Sequence, residues 1–444
     1  MNVNNSEQLI DNAAGHPTRR QYPSKLFVEV TTRCNLHCPM CIKQSPGNGI
    51  VEGDMSDKTF ARLAPAFPQL DALILNGIGE PLLHPHLERF IEKAKNTMPA
   101  AGLIGFQTNG HLLDRKRSRS LLRAGVDRIC ISSDAVSEDI FQTLRRGGNQ
   151  EAIETAVASL HDAMRHYGRH ISIGVEFVVM QNNVHELPQL VQWAARKKLG
   201  FIIVTHMLPY NKEMTDNVAF DINTDVPLQI FQDWKAKAAA DGVDIGRYFE
   251  VFMKYHRTPD EDRIVDYVKQ MTADAWAQGI LLNAKNLPRL NAPMIQQVKE
   301  AFAEAEEIAG RKGIELHLPA MVPTRTRRCE FIEEGGAFIS WDGNVHPCYF
   351  LWHSYRCYLG GVEKFVKPHS FGNLMDQNIQ SIWNSERFSS FRNAVLRYDF
   401  PFCYDCNVAL CDYVQFEDFE QDCYISTVPC AACLWCTGLF QCLR

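Results

Sequence analysis

From Leu26 onward, short apolar or β-branched runs alternate with longer amphipathic stretches, and this rhythm restricts the fold more than any other feature of the chain. Runs at 26–30 (LFVEV), 72–76 (ALILN), 103–108 (LIGFQT), 128–132 (RICIS), 171–179 (ISIGVEFVV) and 201–205 (FIIVT) have the length and the Val, Ile and Phe content of buried strands. Between them, 86–97, 152–164 and 187–198 place apolar residues at three- and four-residue spacing, as helices do when they cover one face of a sheet. Strand and helix in regular alternation predict an α/β protein: parallel strands joined by helical crossovers, hence a curved sheet or a partial (β/α)6, TIM-like barrel.

The rhythm stops after His206. Residues 210–298 are charged and helix-rich without a strand signal, which reads as a helical insertion, and an amphipathic helix at 295–313 then leads to a strand-like run at 314–319 (IELHLP). The expected organisation is an N-terminal extension over 1–22, a core barrel over 23–209, the insertion over 210–298, the last barrel helix and strand over 299–322, and a separate domain over 323–444. That last region turns to Cys, Gly, Tyr, Phe and Trp, the composition expected where metal ligands replace a conventional core.

Fifteen cysteines and a net charge of -6 sharpen the reading. The charge gives no basic footprint for a phosphate backbone, so nucleic acid is not an expected partner. No apolar run approaches the roughly 18 residues of a membrane span, and the first residues lack a secretion pattern, so a cytoplasmic location without membrane attachment is expected. In that compartment thiols stay reduced, and metal ligation explains the cysteines better than disulfides do. Only Cys34, Cys38, Cys41 and Cys130 precede Cys329, and the remaining eleven lie between Cys329 and Cys442, which implies two metal-binding regions.

The segment TTRCNLHCPMCIKQ sets Cys34, Cys38 and Cys41 at C-x3-C-x2-C spacing directly after the first strand, on the barrel rim where active sites of parallel barrels lie. Three thiolates hold a cubane [4Fe-4S] cluster and leave one iron without a protein ligand, whereas an electron-carrying cluster normally has four. The competing reading is a four-ligand zinc or ferredoxin-type site completed by a distant residue such as Cys130. Cys130, alternating with apolar neighbours in RICIS, reads instead as a small buried strand residue.

C-x3-C-x2-C after a first strand resembles the signature of the radical S-adenosylmethionine (SAM) superfamily. The resemblance implies that SAM chelates the open iron and is cleaved by an electron from the cluster, releasing a 5′-deoxyadenosyl radical. Further matches follow in family order. Gly79-Glu80-Pro81 is similar to the family's GGEP segment, with Ile78 before it where Gly is usual, and implies contacts to the SAM amino group. Asn109 lies in Thr108-Asn109-Gly110, which resembles the family's TNG turn, Ser132 and Asp134 resemble the positions that reach the SAM ribose and carboxylate, and Arg145 resembles the arginine that pairs with that carboxylate. Glu176, on the fifth strand, can face into the barrel or outward. No residue is singled out as catalytic acid or base.

Cys329, then Gly343 separated by four residues from Cys348, then Cys403, Cys406 and Cys411, resemble the SPASM domain, which binds auxiliary [4Fe-4S] clusters. The pattern departs from the family after Cys411: Cys423 is next, followed by Cys430, Cys433, Cys436 and Cys442. The resemblance implies two auxiliary clusters, with Cys329, Cys348, Cys403, Cys406, Cys411 and Cys423 ranked first as ligands and Cys357 as a bystander. Structural zinc is the alternative occupant. The stretch from RRCEF to the terminus resembles a subgroup regarded as metalloenzyme maturases. That likeness implies a radical enzyme that modifies a protein or peptide partner, fed electrons by a flavodoxin or ferredoxin. A small-molecule enzyme of cofactor biosynthesis and a non-enzymatic iron–sulfur scaffold or electron carrier are the alternatives.

Overall fold

The computed structural model describes residues 16–360, 362–406 and 420–443. Strands β1 (Lys25–Val28), β2 (Ala72–Ile74), β3 (Leu103–Thr108), β4 (Arg128–Ser132), β5 (Ser172–Val179), β6 (Phe201–His206) and β7 (Glu315–His317) lie side by side in chain order and pair in parallel. The expected strands at 103–108 and 128–132 form over those residues. At β1 and β2 the ladder stops two residues short of the expected ends, because the chain there leaves the sheet to form the rim.

Alternation along the strands sorts side chains into two layers. Leu26, Val28, Leu73, Ile129, Ile131 and Ile202 pack outward under the helices, in the main core. Phe27, Ile74, Cys130, Phe201 and Ile203 point the other way and meet in a separate interior cluster, which fills the barrel lumen. Cys130 is fully buried there.

The outer layer contains α1 (Leu87–Lys95), α2 (Arg115–Ala124), α3 (Gln150–Tyr167) and α4 (Leu187–Arg196). In α1 the buried residues Leu87, Phe90, Ile91 and Ala94 recur at the spacing of one helical face. Asn149 caps α3 by accepting from Ala152 N, and Gly168, with a φ of 59°, closes it. The insertion folds around α5 (Asp225–Ala240) and α6 (Pro259–Ala277), which share a core of their own with Phe231, Val268 and Met271 at its centre. Then α7 (Ala292–Lys312) returns the chain to β7, on the outer edge of β6.

The polypeptide beyond Pro323 does not stand apart from the barrel. Strand β8 (Gly336–Ile339) pairs in parallel with β1, with Lys25 opposite Gly336, and β9 (Val345–His346) adds to it in antiparallel fashion. The sheet order is therefore β7-β6-β5-β4-β3-β2-β1-β8-β9. A hairpin of β10 (Tyr355–Leu359) and β11 (Val362–Val366) and helix α8 (Glu386–Arg397) complete the C-terminal part. Residues 437–443 then run back across the open edge. Gln441 donates from N to Thr205 Oγ1 at 3.2 Å and from Nε2 to the Leu318 carbonyl at 2.7 Å, and Ala320 N donates to the Gly438 carbonyl at 2.8 Å. Leu443 ends up fully buried among the lumen residues. Among the described residues, no helix is long and apolar enough to cross a membrane.

Candidate active site

The ends of six parallel strands and the C-terminal tail converge on one cavity of about 310 Å³. A flat sheet could not bring residues after β1, β2, β3, β4, β5 and β6 to one space, so the convergence expresses the barrel curvature.

Cys34, Cys38 and Cys41 all line this cavity. Leu36 N donates to Cys34 Sγ at 3.5 Å, and Asn109 Nδ2 reaches the same sulfur at 3.9 Å while bonding Asn35 Oδ1 at 2.8 Å. Burial pushes all three thiols up, Cys38 to about 11, while the Arg145 guanidinium pulls in the opposite direction. Iron must therefore displace a proton from each, and a nearby fixed cation eases that step.

Gly79 is where two turns touch. A Cβ there would lie 2.3 Å from the Thr31 carbonyl oxygen and 2.6 Å from that of Arg33, so only glycine lets this turn sit against the cysteine loop. The next residue, Glu80, is buried and accepts from Leu82 N at 3.1 Å, Thr108 Oγ1 at 2.7 Å and Asn109 N at 2.7 Å. It clips the Gly79-Glu80-Pro81 turn to the Thr108-Asn109-Gly110 turn. A carboxylate has about four acceptor sites, so roughly one remains for a ligand. Pro81 begins the short 3-10 turn Pro81–Leu83 that Glu80 caps.

Ser132 lines the cavity at the end of β4, and Gln107 Nε2 lies 3.5 Å from its Oγ. Asp134 stands behind the wall, fully buried, accepting from Val178 N at 2.8 Å and pairing with Arg145 at 2.7 Å. Arg145 reaches the cavity itself. Glu176 faces inward, where Gln107 donates to it, and burial raises its carboxyl to about 7 despite the opposing charge of Arg145.

The opposite wall comes from residues that, apart from the candidate cluster ligand Cys442, had no role assigned from the sequence. Tyr349 donates its hydroxyl to Asn76 Oδ1, and Trp352, Trp435, Gln441 and Cys442 stand alongside. His206, 2% exposed, bonds the Ala320 carbonyl at 2.9 Å through Nε2, which leaves Nδ1 as a buried acceptor without a partner. Burial holds its ring well below the usual imidazole range, at about 4. The signal for His206 was its place at the end of a barrel strand, like Asn109 and Ser132. In the tail only Cys442 was marked by the sequence, as a candidate cluster ligand.

A second, narrower cavity of about 40 Å³ is lined by six cysteines: Cys329, Cys348, Cys430, Cys433, Cys436 and Cys442. Burial pushes Cys329 and Cys430 up and Cys348 to about 12. The tertiary structure thus joins Cys329 and Cys348 to the last four cysteines. Cys403 and Cys406 flank a 3-10 turn outside this cavity, Cys423 is exposed, and Cys411 lies outside the described residues. Cys357 is buried on β10 opposite Lys364 and lines a third cavity. Among the described residues, no group of three or more His, Cys, Asp or Glu side chains is arranged around a single metal ion. Six thiols that ring one cavity suit a many-atom iron–sulfur cluster. The first cavity adds an anionic and a cationic side chain, Glu80 and Arg145, against which a zwitterionic amino acid can bind. The donor set fits a [4Fe-4S] cluster with SAM.

Residues 28–194 match the Radical SAM superfamily, and residues 329–407 match the SPASM iron–sulfur cluster-binding domain. A Pyrococcus furiosus protein, described as the tungsten-containing aldehyde ferredoxin oxidoreductase cofactor-modifying protein, is 28% identical over 425 residues, covering 94% of this chain and 96% of the relative. The GTP 3′,8-cyclase of Pelotomaculum thermopropionicum is 32% identical over 145 residues, 32% of this chain and 43% of the relative. Among solved structures, Streptococcus suis SuiB bound to S-adenosylmethionine aligns over 92% of this chain and 76% of its own, at 11% identity and a TM-score of 0.48.

Proposed function

The chain belongs to the radical SAM superfamily and carries a C-terminal SPASM domain, and on that premise we propose that this enzyme matures a metalloenzyme by modifying the partner protein or the cofactor it holds. The observation that carries this reading is the end-to-end likeness to the Pyrococcus furiosus cofactor-modifying protein, which includes the insertion and the cysteine-rich domain. The likeness to the Pelotomaculum thermopropionicum cyclase covers 43% of that enzyme and 32% of this chain, which gives the small-molecule reading less support.

Bound cluster and SAM supply a 5′-deoxyadenosyl radical, able to take hydrogen from an unactivated C–H bond. The chain's own residues prepare for it. Cys34, Cys38 and Cys41 are the ligands that leave one coordination position open, and Gly79, Glu80, Pro81 and Asn109 shape the seat for the amino-acid end. Arg145, held in place by Asp134, would supply the cation for a carboxylate, and Ser132 and Glu176, which line the same cavity, would serve the nucleoside. Leu36, Met40, Val178, Met207 and Phe440 give the cavity an apolar lining, which suits shielding a radical from side reactions. Auxiliary clusters fall to the C-terminal cysteines, and a ferredoxin- or flavodoxin-type protein suits the supply of electrons.

The test is anaerobic. Reconstituted enzyme, SAM and a one-electron reductant are incubated with a tungsten-containing oxidoreductase, and the masses of its polypeptide and of its released cofactor are followed. A mass change in either, matched by 5′-deoxyadenosine, supports maturation. Formation of 5′-deoxyadenosine with both masses unchanged removes it.

A further inference from the structure

Six thiols surround the second cavity, two more than a cubane can use. Cys430, Cys433 and Cys436 have the C-x2-C-x2-C spacing of three ligands to one cluster, and Cys329 or Cys348 completes the four. The electrostatic neighbours of these thiols agree: Cys430 senses Cys433, Cys329 and Cys348, and Cys329 senses Cys348 and Cys433. Cys442 is set apart. It acts on Cys348, but also on Tyr210 and Tyr349, both in the wall of the first cavity. Among the described residues it is the one cysteine that lines both cavities.

Its place is built by long-range contacts. Gln441 is tied to Thr205 and Leu318, Leu443 is buried in the lumen, and Trp435 donates from its indole N–H to Cys442 Sγ at 3.3 Å. Polar atoms that await a ligand stand in the same wall: Nδ1 of His206 and the indole N–H of Trp352 are buried without partners. The cavity therefore has a cluster-and-SAM end on the barrel loops and a second, polar end on the tail.

We propose that Cys442 is a catalytic residue at the substrate end of this cavity, where its thiol gives a hydrogen atom to the carbon radical left after hydrogen abstraction. The proposal rests on the radical chemistry proposed above. In this step the S–H bond breaks and a C–H bond forms, leaving a thiyl radical on Cys442. One electron from a reduced iron–sulfur cluster in the neighbouring cysteine-lined cavity and one proton from solvent restore the thiol. A weak S–H bond suits the donor, and the shared wall suits the return of the electron.

Two measurements on the full, reconstituted chain decide the matter. Iodoacetamide, with mass mapping, reads thiol accessibility without turnover: Cys442 is alkylated while Cys430, Cys433 and Cys436 are shielded by their cluster, and SAM slows the reaction at Cys442. If Cys442 is shielded whenever iron is present, with or without SAM, it is a ligand and the proposal is wrong. In D2O with dithionite, SAM and no substrate, the 5′-deoxyadenosine formed carries deuterium from the Cys442 S–D. In Cys442→Ala, with iron content retained, that deuterium is lost from whatever 5′-deoxyadenosine is made. Equal labelling in both proteins overturns the proposal. Absence of any 5′-deoxyadenosine from the wild type sinks the radical chemistry itself, while the alkylation result still decides between ligand and reactive thiol.

Discussion

Nε of Arg145 and Oδ2 of Asp134 lie 2.7 Å apart with both side chains buried, and this pair places a permanent positive charge beside three cysteines. Burying an ion pair is costly, and removing one partner leaves the other uncompensated. Asp134→Ala is therefore expected to destabilise the fold by about 3–5 kcal/mol and to weaken SAM binding, since the guanidinium loses its anchor. A double-mutant cycle with Arg145→Met, read by denaturant unfolding, checks it: the double variant should be more stable than Asp134→Ala alone.

Gly79→Ala is a steric test. The added methyl would stand 2.3 Å from a backbone carbonyl, and backbone cannot step aside as a flexible side chain can. SAM affinity should fall about tenfold or more, near 1.4 kcal/mol, while the first cluster still assembles. Equilibrium binding of SAM beside iron analysis reads both. Unchanged affinity would mean the turn does not seat the ligand.

Changing Cys34, Cys38 and Cys41 together to Ala should remove about four irons per chain and all SAM cleavage. Changing Cys430, Cys433 and Cys436 instead should remove a similar amount of iron and leave the first cluster in place. Loss of iron in only one of the two variants would contradict two separate sites.

Two groups in the cavity wall, the buried His206 and the half-buried Glu176, give opposite pH dependences. His206 titrates near 4 in the fold against 6.5 outside it, so its contribution to stability is complete above about 6.5 and is lost as pH falls toward 4. Glu176 titrates near 7 against 4.5, so its contribution is complete below about 4.5 and is lost as pH rises toward 7. Each loss is on the order of 3 kcal/mol. Unfolding free energies of His206→Asn and Glu176→Gln across pH 4 to 8 should show the acid-side fall reduced in the first and the rise-side fall reduced in the second.

Much of the barrel was legible because its signals are local. Strands at 103–108 and 128–132 and the helix faces of α1 and α4 follow from which neighbours along the chain are apolar, and the Cys34, Cys38 and Cys41 loop follows from three residues within one turn of sequence. Ser132 and Asn109 could be placed at the rim because strand ends define the rim. Glu176 could not be oriented, since a shift of one residue in register would have turned it outward.

The chain by itself determined the kind of chemistry: a three-thiol iron site after the first of a series of parallel strands, and a second cysteine-rich region after the barrel. Only the tertiary structure decided that Asp134 serves Arg145, that Glu80 spends most of its oxygens on two turns, that β8 pairs with β1, and that residues 437–443 cross the open edge, bury Leu443 in the lumen and set Cys442 between two cavities. The physical reason is separation along the chain. Periodicity and motif spacing report on residues that are close in sequence, whereas these contacts join residues from 11 positions apart, as Asp134 and Arg145, to 311, as Lys25 and Gly336, and are selected by packing and by the satisfaction of buried polar groups.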